Sequence, residues 1–196
     1  MNYFDKKSNY YFKQNYNSIH KIFKLREIDY FKKIIKIINL KKNSDILEIG
    51  SGTATYSKLL AKNKFTSITC LDESKAMLQN INNKDIKKIN ANFMNYKTKK
   101  KFDVILALGV SEFIKSYSSF LNKINFFSKK KSTIVLLLPC NNILSYIYKI
   151  YHLINSNNIT IHNVDKIISN LKKLGWSIII KKKIIFFSIF IIAERK

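Results

Sequence analysis

Five short β-rich runs, most of them nearly unbroken in apolar residues and separated by stretches of helical spacing, leave this chain few ways to fold. The runs are Asp45 to Ile49, Ser67 to Leu71, Ile86 to Ala91, Phe102 to Leu108 and Thr133 to Leu138. A strand that is apolar on both of its alternating sides is covered on both faces, as strands of a parallel sheet are. Three of the gaps, Tyr56 to Ala61, Lys75 to Ile81 and Tyr117 to Phe127, read as helices, with Phe120, Leu121, Ile124 and Phe127 forming one stripe. Strand and helix in alternation predict an α/β fold with an open, mostly parallel sheet wound on both sides.

The ends of the chain depart from that rhythm. From Ile22 to Ile38 the apolar positions Leu25, Ile28, Phe31, Ile34, Ile35 and Ile38 recur every three or four residues, which predicts a helix with one buried face ahead of the first strand. Ile143 to Ile154 and Val164 to Leu174 are two further amphipathic helices, and Gly175 stands where a helix C′ glycine belongs. Trp176 to Ile180 and Ile184 to Ala193 follow, with Lys181-Lys182-Lys183 between them as the reversal. Strands so close in sequence pair antiparallel, so the sheet is expected to finish in a hairpin.

The 196 residues suit one domain with a real core, at 46% hydrophobic. The 36 Lys and Arg against 12 Asp and Glu give a formal charge of +24. A field of that size draws polyanions. Only Arg26 and Arg195 are arginines, however, and readers of phosphates and bases rely on the planar guanidinium. Lysines spread along the whole chain beside many Asn and Ile fit coding bias and a solvated face better than a nucleic-acid reader. Cys70 and Cys140 are too few for a disulfide scaffold, which predicts a reducing, cytoplasmic setting. The N-terminus has no apolar signal core, and Ile184 to Ala193 is about half of what a membrane span needs.

Chemistry enters at Glu48-Ile49-Gly50-Ser51-Gly52-Thr53-Ala54-Thr55, where the first strand ends and a helix opens. Glycines at 50 and 52 permit a sharp turn and let a ligand lie on bare main chain, beside the unpaired N–H groups of a helix start. Asp72 follows Gly52 by 20 residues, at the end of the second strand, where a carboxylate can accept both hydroxyls of a ribose. A dinucleotide fits only in part. The sixth position of the loop is Thr55 rather than Gly or Ala, and Glu48 would repel a pyrophosphate. A cationic ligand suits Glu48 better.

These residues resemble the class I S-adenosylmethionine-dependent methyltransferases, whose first motif Glu48 to Ala54 matches with Ala at the third glycine. The likeness continues through Cys70-Leu71-Asp72-Glu73-Ser74-Lys75-Ala76-Met77-Leu78, through Asn90-Ala91-Asn92-Phe93, where Asp usually replaces Asn92, and through Phe102 to Ile114. It spans roughly residues 44 to 196. The resemblance implies a Rossmann-like three-layer sandwich with a seven-stranded, mostly parallel sheet and an antiparallel last strand. It also implies an N-terminal helical lid at 1–40 and a methyltransferase domain at 41–196 carrying an insertion at about 140–163. The cofactor it implies is S-adenosylmethionine, and no metal is expected.

Residue by residue, the resemblance puts Gly50, Ser51 and Gly52 beneath the amino-acid and ribose portion of the cofactor and Glu48 toward its ammonium, directly or through water. Asp72 would hold the ribose, Glu73 and Met77 would flank the adenine, and the Asn92 amide would face the adenine edge with the Phe93 backbone or ring beside it. Leu108 and Gly109 would line the sulfonium, and Arg26 would pair the cofactor carboxylate. Asp103 and Cys70 read as structural.

The acceptor is less legible. Transfer from an activated sulfonium mainly needs in-line approach and exclusion of water. Many small-molecule members carry His where this chain has Phe113, so the obvious proton acceptor is gone. His20, His152, His162, Tyr10, Tyr11 and Tyr16 are candidates, and no catalytic residue is assigned. Cys140 after Pro139 sits as a pyrimidine-attacking cysteine would, but the companion motif is missing. Leu108-Gly109-Val110-Ser111 also differs from the Asn-Pro-Pro-Tyr type used on DNA amines. The C-terminal third, with His162, Gly175-Trp176 and Phe186-Phe187-Ser188-Ile189-Phe190, is distantly similar to porphyrin carboxylate methyltransferases. Aromatic and aliphatic residues at 1–40 and 140–163 predict methylation of oxygen or nitrogen on a small, partly apolar molecule. An RNA methyltransferase and a non-catalytic partner subunit of the same fold are the alternatives.

Overall fold

The computed structural model describes residues 19–140, 142, 149–150, 159–184 and 188–196. In chain order these form α1 (Ile19–Ile37), β1 (Asp45–Ile49), α2 (Thr55–Lys62), β2 (Ser67–Asp72), α3 (Lys75–Gln79) and β3 (Ile86–Asn90). There follow β4 (Phe102–Leu108), a 3₁₀ turn (Ser111–Phe113), α4 (Tyr117–Phe127), β5 (Ser128–Pro139), α5 (Val164–Lys173), β6 (Trp176–Lys183) and β7 (Ser188–Arg195). One seven-stranded sheet in the order β3-β2-β1-β4-β5-β7-β6 runs through the molecule. β1 to β5 are parallel neighbours, and β7 runs antiparallel to both β5 and β6.

The alternation of side chains along the strands divides the core in two. Leu47, Ile49, Ile105, Ala107, Ile134 and Leu136 face α4 and α5, packing with Phe120, Ile124, Phe127 and Leu171. Ile46, Val104, Leu106 and Val135 face the other way, onto Phe31 and Ile34 of α1, Tyr56 and Leu60 of α2 and Leu78 of α3. The result is three layers, Rossmann-like, as the sequence predicts. The chain winds outward from β1 to β3 on one side and from β4 on the other, so the strand order reverses between β1 and β4. A crevice opens at their C-terminal ends, the usual ligand position in such sheets.

Side-chain caps start three helices. The hydroxyls of Ser74 and Ser116 accept from Met77 and Ser119 N–H, and Asn163 accepts from Asp165 and Lys166 N–H. Gly175 ends α5 with φ of 84° and donates to Lys172 O (3.0 Å).

Two expectations are corrected. β5 begins five residues before Thr133, at Ser128, through a lysine-rich segment with a register irregularity and Lys131 at φ of 59°. The Lys181–Lys183 triplet is no reversal: it continues β6, with Lys181 opposite Ile191 and Lys183 opposite Ile189. β6 lies at the sheet's rim and these side chains are exposed, so polarity there is compatible with strand pairing. The helix expected at 143–154 lies outside the described residues except for Lys149 and Ile150, which are helical; Tyr10, Tyr11, Tyr16 and His152 also lie outside them.

Asp103 anchors the opposite end of the sheet. Its Oδ2 accepts from Asp45 N–H (2.8 Å) and from Lys129 Nζ (2.9 Å). Lys100 and Lys129 both pair with Asp45. Partial burial works against ionisation of Asp45, but hydrogen bonds from Lys100, Lys129 and Ser67 outweigh it and hold the carboxyl well below its ordinary range. This cluster is structural and far from the crevice.

Candidate functional site

At the strand C-termini lies a cavity of about 650 Å³, bordered by the β1–α2 loop, the end of β2, residues 91–94, the end of β4 and the segment from Phe113 to Ser116. Gly50, Ser51, Gly52, Glu48, Asp72, Glu73, Met77, Asn92, Phe93, Leu108 and Gly109 all border it. The structure thus brings together eleven of the twelve residues singled out from the sequence.

The loop owes its shape to its small residues. Gly50 (φ 61°) donates to Leu71 O (2.8 Å), and a Cβ there would lie 2.5 Å from Val110 Cγ2. Its bareness admits Val110. Gly52 (φ 52°) and Gly109 (φ 77°) instead face open space, with nothing within 4 Å of where a Cβ would stand. Ala54, at the third glycine's place, takes a left-handed φ of 58° and starts α2.

Asp72 ties the loop down before any ligand arrives. Its Oδ2 accepts from Gly52 N–H (2.7 Å) and its Oδ1 from Ser74 N–H (2.8 Å). Each carboxylate oxygen has more than one lone pair, so ribose hydroxyls can still be received. Farther along, Asn92 Nδ2 donates to Glu73 Oε2 (2.8 Å), while its Oδ1 accepts from Met94 N–H (2.9 Å). The Asn92 amide therefore shapes the 91–94 loop. The Phe93 ring packs edge-on against Phe120 and Phe127, which leaves its backbone for the cavity.

Glu48 sits on the α2 side of β1, where a strand residue would ordinarily be apolar, and is only 2% exposed. Ser57 N–H (3.1 Å), the Ser57 hydroxyl and the Cys70 thiol (4.0 Å) all donate to its Oε2. Burial pushes its pKa up to about 7, against the Ser57 bonds and Lys24. Cys70 beside it is pushed up to about 12, mainly by burial, as befits an unreactive core thiol.

Arg26 is the residue that the structure leaves out: it is exposed and does not border the cavity, whereas Lys24 does. Helical phase explains the difference. Two residues along an α-helix is a turn of about 200°, so Arg26 points away from the side carrying Lys24, Ile28 and Phe31. Lys24 Nζ donates to Tyr56 Oη (3.1 Å), lies 4.5 Å from the centre of that ring, and is 3.9 Å from Glu27 Oε2. The residue-type argument favoured arginine; the period of the apolar stripe would have found Lys24.

The segment before α5 folds back over the turn after β4. Thr160 N–H donates to Glu112 O (2.8 Å), His162 Nε2 lies 2.9 Å from Ile114 O, and the His162 ring packs tilted against Tyr117 with centroids 4.7 Å apart. Burial holds His162 below its ordinary pKa, against its carbonyl partners. His162 braces the turn from behind and does not border the cavity. Among the described residues no three His, Cys, Asp or Glu are grouped to hold a metal ion, and no helix is long and apolar enough to cross a membrane.

The sequence profile of a family described as "Methyltransferase domain" matches residues 21–179. The chain belongs to that family. By sequence alone, no curated protein matches this methyltransferase. Its fold is shared with magnesium protoporphyrin IX methyltransferase from Synechocystis PCC 6803 with bound S-adenosylhomocysteine (15% identity, 99% of this chain and 96% of that one, TM-score 0.79). It is shared also with an S-adenosylmethionine-dependent methyltransferase of Thermotoga maritima, a possible histamine N-methyltransferase (15%, 98% and 98%, 0.77). A Haloferax volcanii methyltransferase in complex with the Trm112 activator is also similar (12%, 83% and 86%, 0.73).

The enzyme's methyl donor is S-adenosylmethionine, and the cavity fits it on three observations. Open space lies over Gly52 and Gly109, the buried Glu48 lacks a full cationic partner, and the buried Ser51 hydroxyl in the wall has no hydrogen-bond partner among the described residues.

Proposed function

We propose that this methyltransferase transfers a methyl group to an oxygen or nitrogen of a small, partly apolar molecule. The observation that carries the reading is the wall of the cavity. Among the described residues it combines three acids, Glu48, Asp72 and Glu73, with two cations, Lys24 and Lys115, and with the apolar Met77, Leu108, Val110, Phe113 and Ile114. A chain of formal charge +24 thus turns acids toward its site, the reverse of what an RNA strand selects. Among structural neighbours, one acts on magnesium protoporphyrin IX and another is a possible histamine N-methyltransferase, which agrees with a small acceptor.

When bound, S-adenosylmethionine supplies an activated methyl on a cationic sulfur. Glu48 faces its ammonium, Lys24 takes the carboxylate in place of Arg26, and Asp72 receives the ribose hydroxyls. Glu73, Met77, Asn92 and the Phe93 backbone surround the adenine. Leu108 and Gly109 keep water from the reacting carbon.

Calorimetric titration with S-adenosylhomocysteine tests the reading. Asp72→Asn is expected to weaken binding about tenfold or more, since a neutral amide accepts more weakly from the ribose and from Gly52 N–H. Absence of binding by the unaltered protein at high micromolar concentration would instead make it a non-catalytic member of the family.

A further inference from the structure

Tyr56 borders the cavity beside Lys24, and neither the glycine loop nor the acids account for it. It is the second residue of α2, directly after the loop, and is only 2% exposed. Its ring meets Phe31 of α1 edge-on with centroids 4.9 Å apart, so the contact between the two helices fixes where the hydroxyl stands.

That hydroxyl works in two directions. It accepts from Lys24 Nζ (3.1 Å), which also lies 4.5 Å from the centre of the ring, and it turns its own proton toward Glu27, one helical turn beyond Lys24. Burial, with Glu27 and Glu48 adding to it, holds the phenol well above its ordinary pKa, so the group stays neutral and keeps both roles. Of the two buried acids outside the cavity wall, Glu112 is met by the Ser111 hydroxyl (3.2 Å), whereas Glu27 faces Lys24. Glu27 Oε2 nevertheless stays 3.9 Å from Lys24 Nζ, beyond the roughly 2.7–2.9 Å of a directly hydrogen-bonded ion pair. The Tyr56 hydroxyl stands between them and takes one N–H of the ammonium group. An ammonium in full contact with Glu27 would be neutralised by it; this one keeps an N–H for the cavity.

We infer that Tyr56 is a positioning residue for cofactor binding: its hydroxyl holds the Lys24 ammonium off Glu27 and at the cavity wall, where it meets the cofactor's carboxylate. This rests on the methyl-transfer reading above and on its use of Lys24. A lysine side chain is long and rotamer-rich, and ordering it only when a ligand arrives lowers affinity. The bond to Tyr56 orders it beforehand. Preference for a ligand that carries the carboxylate then depends on one neutral oxygen that itself touches no part of the cofactor.

The test compares two ligands by calorimetry, S-adenosylhomocysteine and S-adenosyl-3-thiopropylamine, which keeps the adenine, ribose and ammonium and lacks only the carboxylate. Failure of the unaltered protein to bind either one refutes the methyl-transfer reading itself. Tyr56→Phe keeps the ring and its contact with Phe31, and circular dichroism melting shows that it folds. It is expected to weaken S-adenosylhomocysteine about fivefold and to leave S-adenosyl-3-thiopropylamine within about twofold. Lys24→Ala, the second variant, should show the same selectivity with a loss of about tenfold, and adding Tyr56→Phe to it should cost no more than a further factor of about two. A hydroxyl that merely stabilises the fold would weaken both ligands alike. Equal losses on the two ligands in either variant, unchanged S-adenosylhomocysteine affinity in Tyr56→Phe, or a full Tyr56→Phe loss on top of Lys24→Ala overturns the inference while leaving the methyl-transfer reading in place.

Discussion

Exchanging Glu48 for Gln should move folding and cofactor binding in opposite directions. The folded carboxyl titrates at about 7 rather than at its ordinary 4.5, because burial disfavours the ion more than Ser57 and Lys24 favour it. Between those two values the folded state keeps a proton that the unfolded chain has released, so stability falls as pH rises through the window and stays reduced above it. At roughly 1.4 kcal/mol per pKa unit, the ionised side chain costs the ligand-free fold about 3 kcal/mol at pH 8. The uncharged glutamine carries no such penalty, and its amide oxygen still accepts from Ser57. Allowing about 1 kcal/mol for weaker hydrogen bonds, the variant should be about 2 kcal/mol more stable at pH 8 and melt several degrees higher, a gain that vanishes below about pH 5. Binding should run the other way. An ammonium ion needs the carboxylate ionised, so wild-type affinity for S-adenosylhomocysteine should drop about tenfold per unit below pH 7, and Glu48→Gln should bind about 10- to 100-fold more weakly at pH 8 with a flat profile. Calorimetry and thermal melting between pH 5 and 8.5 measure both. If the variant binds as tightly as the wild type at pH 8, or melts lower there, Glu48 is a core hydrogen-bonding group and the reasoning fails.

Other expectations are simpler to check. Lys24→Ala should weaken S-adenosylhomocysteine binding about tenfold, whereas Arg26→Ala should leave it unchanged in the same titration. Gly50→Ala drives a methyl into Val110 and should cost about 2–4 kcal/mol in denaturant unfolding. Gly52→Ala meets only the strain of its positive φ, about 1 kcal/mol, but its methyl enters the cavity and should abolish cofactor binding. At the exposed Lys131, with φ of 59°, glycine should stabilise the fold by about 1 kcal/mol, read as a rise of a few degrees in melting temperature.

How much of this was legible in the sequence follows from what burial writes into a chain. β1, β4 and α4 have the bounds expected of them, because a strand covered on both faces and a helix with one apolar stripe each leave an unambiguous pattern. The start of β5 and the end of β6 were hidden, since polar and lysine-rich strand segments carry no such pattern. The loop residues that face the cavity could be read because backbone freedom at Gly50 and Gly52 and the acid at Asp72 depend on residue type and spacing. Glu27 and Glu112 could not be. A buried acid and a solvated one are spelled alike, and only the neighbours that α1, the β4 turn and β7 bring together distinguish them.

Both outer rims of the sheet carry exposed lysines, Lys87 and Lys88 on β3 and Lys181 to Lys183 on β6. A second sheet approaching either rim to extend the hydrogen-bond ladder would have to crowd ammonium groups together without water between them. The surplus of positive charge, whatever its genetic origin, thereby acts as a guard against fibril-like stacking in a chain otherwise rich in isoleucine and phenylalanine.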